Sequence, residues 1–137
     1  MPHRFEGERT LMRIFIGESD RCADGPHRGK PLYEALVALL RERGFAGATV
    51  LRGITGFGAS AKVHTDKVLR LSLDLPIVLE VVETEEKIRQ VMPELDRMIG
   101  GGLITLERAH VILYRPADPA EDGGVERRTE GMEPGQR

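Results

Sequence analysis

The spacing of apolar residues changes several times along the chain, and each spacing predicts a type of element. Residues 11–17 (LMRIFIG) form a short run of strand-forming side chains, which predicts a first strand. After Pro31, apolar residues recur at helical spacing until Gly44, which predicts a helix. The apolar positions of this helix are Leu32, Leu36, Leu39 and Leu40. Residues 48–54 (ATVLRGI) predict a second strand, and the glycines and polar residues of 55–66 predict a flexible excursion after it.

The second half of the chain repeats this alternation of periods. Residues 69–81 are apolar at every odd position, a period of two that predicts a strand with one buried face. Pro76 interrupts that pattern and predicts a bend or bulge. Thr84 is the predicted N-cap of a second helix, and Pro93 inside that helix is expected to kink or split it. The helical apolar positions are Ile88, Val91, Met92, Leu95, Met98 and Ile99.

The resulting order of elements predicts the fold class. A last strand at residues 109–114, with an earlier start at 103–106 left open, completes the order β-α-β-β-α-β. This order predicts an α+β, ferredoxin-like fold: a four-stranded antiparallel sheet with two helices on one face. The other face would be bare in a monomer, and apolar Val78 and Val82 point toward it. That pattern indicates oligomerisation, and coverage by the tail of the chain is the alternative.

The two ends of the chain lack any such periodicity. Residues 1–10 are polar and charged, so we expect a flexible lead and no signal peptide. Residues 116–137 are rich in proline, glycine and acidic side chains, so we expect a disordered tail. The predicted folded domain is therefore residues 11–115 of the 137.

Charge and composition exclude several classes of function. The 20 Lys and Arg residues against 22 Asp and Glu give a net charge of −2, which offers no attraction to nucleic acid or anionic membranes. Aromatic residues make up only 4% of the chain, which disfavours an RNA-binding sheet. The single cysteine excludes an intrachain disulfide, and no apolar run approaches the length of a membrane span. We expect a cytoplasmic protein.

Two glycine clusters are the segments with the most distinctive chemistry. Gly56 and Gly58 expose backbone amides at the end of the second strand, and Phe57 between them can stack on a planar group. The alternative is a turn whose Phe57 plugs the core. Residues 100–102 (GGG) directly follow the second helix, where they are either a helix C-cap followed by a tight turn or the opposite wall of one cleft with the first glycine loop. Arg115 can bind a phosphate or carboxylate, or can be a plain surface residue.

No stretch of the sequence carries a motif for catalysis. Glu18 and Asp20, near the end of the first strand, are an acid/base pair without a partner nucleophile. The chain has no nucleophile elbow, Walker loop or paired metal box. We therefore expect a protein that is not an enzyme.

Four stretches of sequence resemble a known family. PLYEAL, GATVLRGITGFG, HTDKVLRLSLDLPIVLEVVET and the glycine-rich turn resemble the DUF190 family of PII-like proteins, across residues 11–115. The resemblance implies a homotrimer of ferredoxin-like subunits whose sheets line the centre. PII signal-transduction proteins bind ATP or ADP in the cleft between neighbouring subunits, and a long loop contacts their partner proteins. Here that loop corresponds to residues 55–66. An unknown partner protein is implied, with a membrane transporter or channel as the candidate.

The resemblance also implies individual site residues. The ligand-binding positions are Thr49, Gly56, Phe57, Gly58, Gly101, Gly102 and Arg115. The partner-loop positions are Ala59, Ser60, Lys62 and His64.

The chain departs from the PII pattern where anions are bound. Ala59 and Ser60 stand where PII proteins have an arginine and the glutamine that binds 2-oxoglutarate. Leu113 occupies one arginine position, and residues 100–105 contain no phosphate-binding lysine. We therefore expect ADP, AMP or ATP, or another small anion, and not 2-oxoglutarate.

A second trimeric family with the same fold offers an alternative function. The CutA-like proteins bind divalent cations, and His64, Asp66 and Cys22 would be the candidate ligands here. One histidine with one carboxylate is not a metal site by spacing, so we expect no bound metal.

Overall fold

The computed structural model describes residues 5–58 and 74–117. Its elements are β1 (Phe5–Gly17), α1 (Leu32–Glu42), β2 (Thr49–Arg52), β3 (Pro76–Glu83), α2 (Glu85–Met98) and β4 (Leu103–Tyr114). The four strands form one sheet in the order β2-β3-β1-β4, and β3 is antiparallel to both β1 and β2. Arg9–Ala109 form one compact unit, and the described residues on either side of it belong to a second. The predicted α+β, ferredoxin-like fold is confirmed.

One face of the sheet carries the core. Even-numbered residues of β1 lie opposite odd-numbered residues of β3, and both sets are buried. The paired core residues are Met12↔Val81, Ile14↔Leu79 and Ile16↔Ile77. The buried helical residues are Leu32, Ala35, Leu36, Leu39 and Leu40 of α1, and Ile88, Val91, Leu95 and Met98 of α2. All of them belong to a single hydrophobic cluster, so both helices cover the same face.

The helix ends follow the sequence signals. Pro31 occupies the N-cap position of α1, and Gly44 follows the helix with a φ of 78°, a conformation that favours glycine. The Thr84 side chain accepts a hydrogen bond from the backbone N–H of Lys87 at 3.2 Å, so the predicted N-cap of α2 is confirmed.

The expected split of the second helix at Pro93 does not occur. The helix α2 runs unbroken through this proline from Glu85 to Met98. Pro93 has no N–H to donate to the carbonyl of Arg89, four residues earlier. Both residues are exposed, so water can satisfy that carbonyl without disturbing the buried side of the helix.

The first strand begins earlier than predicted. It starts at Phe5, so the expectation of a flexible lead was wrong for residues 5–10, and residues 1–4 lie outside the described residues. Exposed Glu6 and Glu8 alternate with half-buried neighbours, a period of two that charge conceals from a search for apolar residues. His110 of β4 lies 3.3 Å from a carboxylate oxygen of Glu8 and 3.8 Å from one of Glu6.

The third strand begins where a bend was expected. Pro76 is the first residue of β3, a position at which the missing N–H is tolerated. The predicted stretch at 69–73 lies outside the described residues, as does the tail from 118 onward. The last strand takes the earlier of its two possible starts, at Leu103.

The face of the sheet opposite the helices has a charged centre. Arg13 pairs with Glu80 at 2.9 Å and with Glu107 at 3.3 Å, across three neighbouring strands. The hydrogen bond to Glu80 raises the pKa of Arg13 further above its ordinary value. Val78 is half-buried and Val82 is exposed on this same face, as the sequence predicted. In the part of the chain that the structure describes, this face is therefore mixed, with an ion network among apolar side chains.

Substituting a buried leucine and an exposed leucine by alanine tests which residues form the core. Leu36 is fully buried between the helices and the sheet, so Leu36→Ala should lower the free energy of unfolding by about 2–5 kcal/mol. Leu103→Ala removes the same atoms from an exposed position and should cost no more than about 0.5 kcal/mol. Urea denaturation followed by circular dichroism measures both, and equal losses would contradict this assignment of the core.

Candidate functional site

Both predicted glycine loops leave the same end of the sheet. Gly17, the last residue of β1, lies opposite Pro76, and Arg52, the last of β2, lies opposite Ile77. The turn before β4 reaches this end as well, because a β-carbon placed on Gly102 would lie 2.8 Å from the carbonyl oxygen of Phe15 in β1. The candidate site is therefore built at the end of the sheet where β1 and β2 finish and β3 and β4 begin.

The two loops stand at opposite edges of that end. The Gly-Phe-Gly loop follows edge strand β2, the glycine turn precedes edge strand β4, and β3 and β1 lie between them. Three strand spacings of about 4.8 Å place the two loops about 14 Å apart. A small ligand that contacts both loops within one chain would have to lie across the ends of β3 and β1.

The Gly-Phe-Gly loop is folded over Pro76 and presents its aromatic ring to solvent. The Gly53 N–H donates to the carbonyl of Pro76 at 2.7 Å. Gly56 has a φ of 147°, and a β-carbon there would lie 3.0 Å from the ring of Pro76, so this position favours glycine. The Phe57 side chain is 81% exposed and Ile54 is 86% exposed. The alternative in which Phe57 plugs the core is therefore wrong.

The glycines of the second turn differ in what they require. Gly102 packs against β1, where an added β-carbon would lie 2.8 Å from the Phe15 carbonyl oxygen and 3.0 Å from the side chain of Ile16. In the described ranges, nothing lies within 4 Å of a β-carbon added at Gly101. Close packing therefore explains Gly102 without a ligand, whereas the exposed backbone of Gly101 stays open to one.

An ion pair at the base of the Gly-Phe-Gly loop is a feature that sequence reasoning missed. The Arg52 guanidinium donates to Oε2 of Glu18 at 2.7 Å. The Glu18 N–H donates to the carbonyl of Leu75 at 2.8 Å, and the Ser19 N–H donates to Oδ1 of Asp74 at 3.1 Å. The segment after β1 therefore contacts both flanks of the excursion. Glu18 and Arg52 are 34 residues apart, and no local pattern connects them.

The proposed acid/base pair has a structural role. Oδ2 of Asp20 accepts a hydrogen bond from the Gly17 N–H at 2.9 Å, which forms the turn after β1. Glu18 is engaged by Arg52, as described above. The two carboxylates therefore act on separate partners and do not form a proton-transfer pair.

Of the remaining predicted site residues, the structure describes Thr49 and Arg115. Thr49 is exposed at the start of β2, and Arg115 is exposed just after β4, in the smaller compact unit. The partner-loop positions lie outside the described residues: Ala59, Ser60, Lys62 and His64. The candidate metal ligand Asp66 lies outside them as well. Cys22 is buried, and its Sγ donates to the carbonyl of Asp24 at 3.2 Å, so it is not placed to bind a metal ion.

Two further findings concern the described ranges 5–58 and 74–117. Within them, no cluster of three or more His, Cys, Asp or Glu side chains is arranged to hold a metal ion. Neither helix in these ranges has the length and apolarity to cross a membrane.

Alanine substitutions at Gly102 and Gly101 should differ in their effect on stability, because only Gly102 is closely packed. Gly102→Ala should lower the free energy of unfolding by about 1–3 kcal/mol, because backbone atoms of β1 must shift. Gly101→Ala should change it by no more than about 0.5 kcal/mol. Thermal or urea denaturation of the two variants measures the difference, and matched stabilities would contradict the close approach at Gly102.

A family model and two relatives match most of this chain. The DUF190 family model, described as "Uncharacterized ACR", matches residues 9–111. A UPF0166 protein of Aquifex aeolicus is 39% identical over 105 residues, covering 77% of this chain and 94% of the relative. A UPF0166 protein of Methanocaldococcus jannaschii is 34% identical over 102 residues, covering 74% and 89%.

Among solved structures, the similarity is more distant. The structure of CPII bound to ADP, AMP and acetate, from Thiomonas intermedia K12, matches with a TM-score of 0.44 and 15% identity, over 85% of this chain and 96% of that one. The family model and the two relatives carry the assignment, which agrees with the resemblance in the sequence. This chain belongs to the DUF190 (UPF0166) family.

Proposed function

We propose that the chain is a PII-like regulatory protein. It binds a small anionic metabolite, with an adenine nucleotide as the first candidate, between the subunits of a homotrimer. Ligand binding changes the affinity of the 55–66 loop for a partner protein. The sequence resemblance to PII-like proteins supports this proposal, and the observation that carries it is the exposed Phe57 ring in the Gly-Phe-Gly loop.

The position of Phe57 suits a planar ligand. An aromatic ring with most of its surface in water forgoes the free energy that burial would supply. The flanking Gly56 and Gly58 place no side chains of their own beside the ring. Among the described residues, nothing lies within 4 Å of an added β-carbon at Gly58. A nucleobase stacked on Phe57 would cover the ring and could hydrogen-bond to the neighbouring backbone amides.

The positions of the two glycine loops at opposite edges of the sheet support a ligand site that is shared between subunits. The two glycine loops are about 14 Å apart at opposite edges of one sheet, from three strand spacings. A neighbour that packs its β4 side against the β2 side of the first copy would bring its glycine turn to the Gly-Phe-Gly loop. Such a contact joins two different surfaces and forms a closed ring when its rotation closes. The resemblance to PII-like proteins implies a ring of three subunits. The uncovered face around Arg13 would then line the centre.

The departures from the PII pattern reduce the set of candidate ligands. Leu113 replaces one phosphate-binding arginine, and Ala59 and Ser60 replace the residues next to the 2-oxoglutarate site. Fewer cations favour a ligand with fewer phosphates, so ADP and AMP come before ATP, and 2-oxoglutarate is not expected.

The proposed activity is regulation and involves no turnover. A ligand that binds one state of the loop more tightly shifts the loop toward that state and so changes its affinity for a partner. By linkage, the partner changes the affinity for the ligand by the same factor. The candidate partner is a membrane transporter or channel, from the resemblance alone. A regulator of this kind releases its nucleotide unchanged and works in the cytoplasm, next to the membrane protein it controls.

The first test is binding, with the mass of the protein in solution recorded alongside. Calorimetry with ADP, AMP and ATP should give saturable binding to a trimer. Phe57→Ala should weaken that binding by about 5- to 150-fold, the usual effect of losing one stacked base. Ile54→Ala removes an equally exposed side chain from the same loop and should leave affinity within twofold, about 0.4 kcal/mol. If Phe57→Ala binds these nucleotides with wild-type affinity, the assignment of the ligand site to Phe57 is wrong.

The predicted anion contact at Arg115 has its own test. Arg115→Ala should weaken ADP binding by about tenfold in low salt, and by less as ionic strength rises. Arg41→Ala removes an exposed arginine from α1 and serves as the control for the change in net charge. Equal effects of the two substitutions would show that Arg115 acts only through overall charge, and the contact would be rejected.

A further inference from the structure

The base of the Gly-Phe-Gly loop contains a cation that the family pattern does not assign. Arg52 is the last residue of β2, and Gly53 after it begins the loop that carries Phe57. We infer that Arg52 binds the anionic group of the ligand, a phosphate or a carboxylate, and that Glu18 holds its guanidinium in place. This inference rests on the proposed function, because it assigns the charged part of the ligand whose planar part stacks on Phe57.

Arg52 lies close to the proposed stacking surface. Gly53 donates its N–H to the Pro76 carbonyl, and Gly56 packs on the Pro76 ring. The loop therefore turns back over Pro76 directly after Arg52, which keeps Phe57 near the same end of β2. In a nucleotide, a few bonds separate the base from the first phosphate, so neighbouring side chains can contact both groups.

The guanidinium retains most of its hydrogen-bonding capacity. Arginine has five N–H donors, and one nitrogen of Arg52 is engaged, by Oε2 of Glu18 at 2.7 Å. In the part of the chain that the structure describes, Arg52 has no other partner. Its side chain is 56% exposed, whereas that of Glu18 is 22% exposed. Glu18 is therefore the more buried member of the pair, and Arg52 is the more exposed one.

Glu18 is itself held firmly. Its backbone N–H donates to Leu75, and the next residue, Ser19, donates to the side chain of Asp74. The second oxygen of Glu18, Oε1, is buried and has no hydrogen-bond partner among the described residues. This carboxylate therefore has Arg52 as its one side-chain partner there. A guanidinium oriented in advance loses less entropy when it binds an anion.

The nearby acidic side chains do not take up the free donors. Asp20 accepts the Gly17 N–H and Asp74 accepts the Ser19 N–H, so each is engaged by backbone. Arg52 thus supplies a positive group at the loop base, whereas the PII-like positions at Ala59, Ser60 and Leu113 supply none. It fits an anion as a planar donor of paired hydrogen bonds.

The experiment compares a ligand that has phosphates with one that lacks them. Calorimetry measures ADP and adenosine binding to the wild-type chain, Arg52→Ala, Arg52→Lys and a control, Arg89→Ala. The control breaks an exposed Arg89–Glu85 pair on α2 and changes net charge by the same amount. We expect Arg52→Ala to weaken ADP binding by at least about tenfold and adenosine binding by less than twofold. Arg52→Lys should fall between, because it keeps the charge but loses the planar fork.

The outcomes separate this inference from the proposed function. Unchanged ADP affinity in Arg52→Ala would overturn the role of Arg52 and leave the Phe57 site standing. Equal losses for ADP and adenosine would also overturn it, since Arg52 would then only shape the loop. If the wild-type chain binds no adenine nucleotide, the proposed function fails and inorganic pyrophosphate becomes the probe. A pyrophosphate-induced rise in melting temperature that Arg52→Ala abolishes, in a variant with the wild-type circular dichroism spectrum, would support the anion site, and no rise would reject it.

Discussion

The register between β1 and β3 is the constraint on which the rest of the structure depends. Ile14 lies opposite Leu79, and both side chains face the helices. Because side chains alternate along a strand, this pairing places Arg13 and Glu80 together on the other face, where they form an ion pair. A slip of one residue would move Arg13 into the apolar layer, so the buried face and the charged face fix each other.

The same register determines where functional chemistry can gather. It brings the end of β1, the end of β2 and the start of β3 to one level, so the segments that follow or precede them meet there. The strand order then separates β2 from β4 by the whole width of the sheet. Loops from the two edge strands share an end of the sheet but lie at opposite edges, so a ligand within one chain would have to reach across the ends of β3 and β1 to contact both.

The sequence was sufficient for the elements whose pattern depends on burial. The alternation in β3 and the helical spacing in α2, with its Thr84 cap, reflect one buried face each, and these elements were predicted. The start of β1 was not, because Glu6 and Glu8 alternate without apolar partners. Pro93 was misleading because its cost depends on whether water can reach the free carbonyl, which the sequence does not reveal.

The candidate site likewise contains residues that the sequence could predict and residues that it could not. Its glycines and Phe57 are contiguous in sequence, so they could be found, but the direction of the ring depends on how the loop packs against Pro76. The Arg52–Glu18 pair joins segments 34 residues apart, so only the sheet brings it together. Gly102 shows the opposite limit: a residue that matched a ligand position is already required by its contact with β1.

Anion binding by this chain is compatible with its net charge of −2, because the relevant electrostatics are local. At physiological ionic strength, charges on the surface are screened beyond about 8 Å, so distant carboxylates have little effect on a bound phosphate. Within that distance, the orientation of each charged group determines its effect on the ligand. Glu18 contacts one nitrogen of the guanidinium and is the more buried partner, and the Arg52 side chain is 56% exposed. The total charge argues against a long polyanion such as nucleic acid, which needs many cations, but a small ligand needs only one that is correctly oriented.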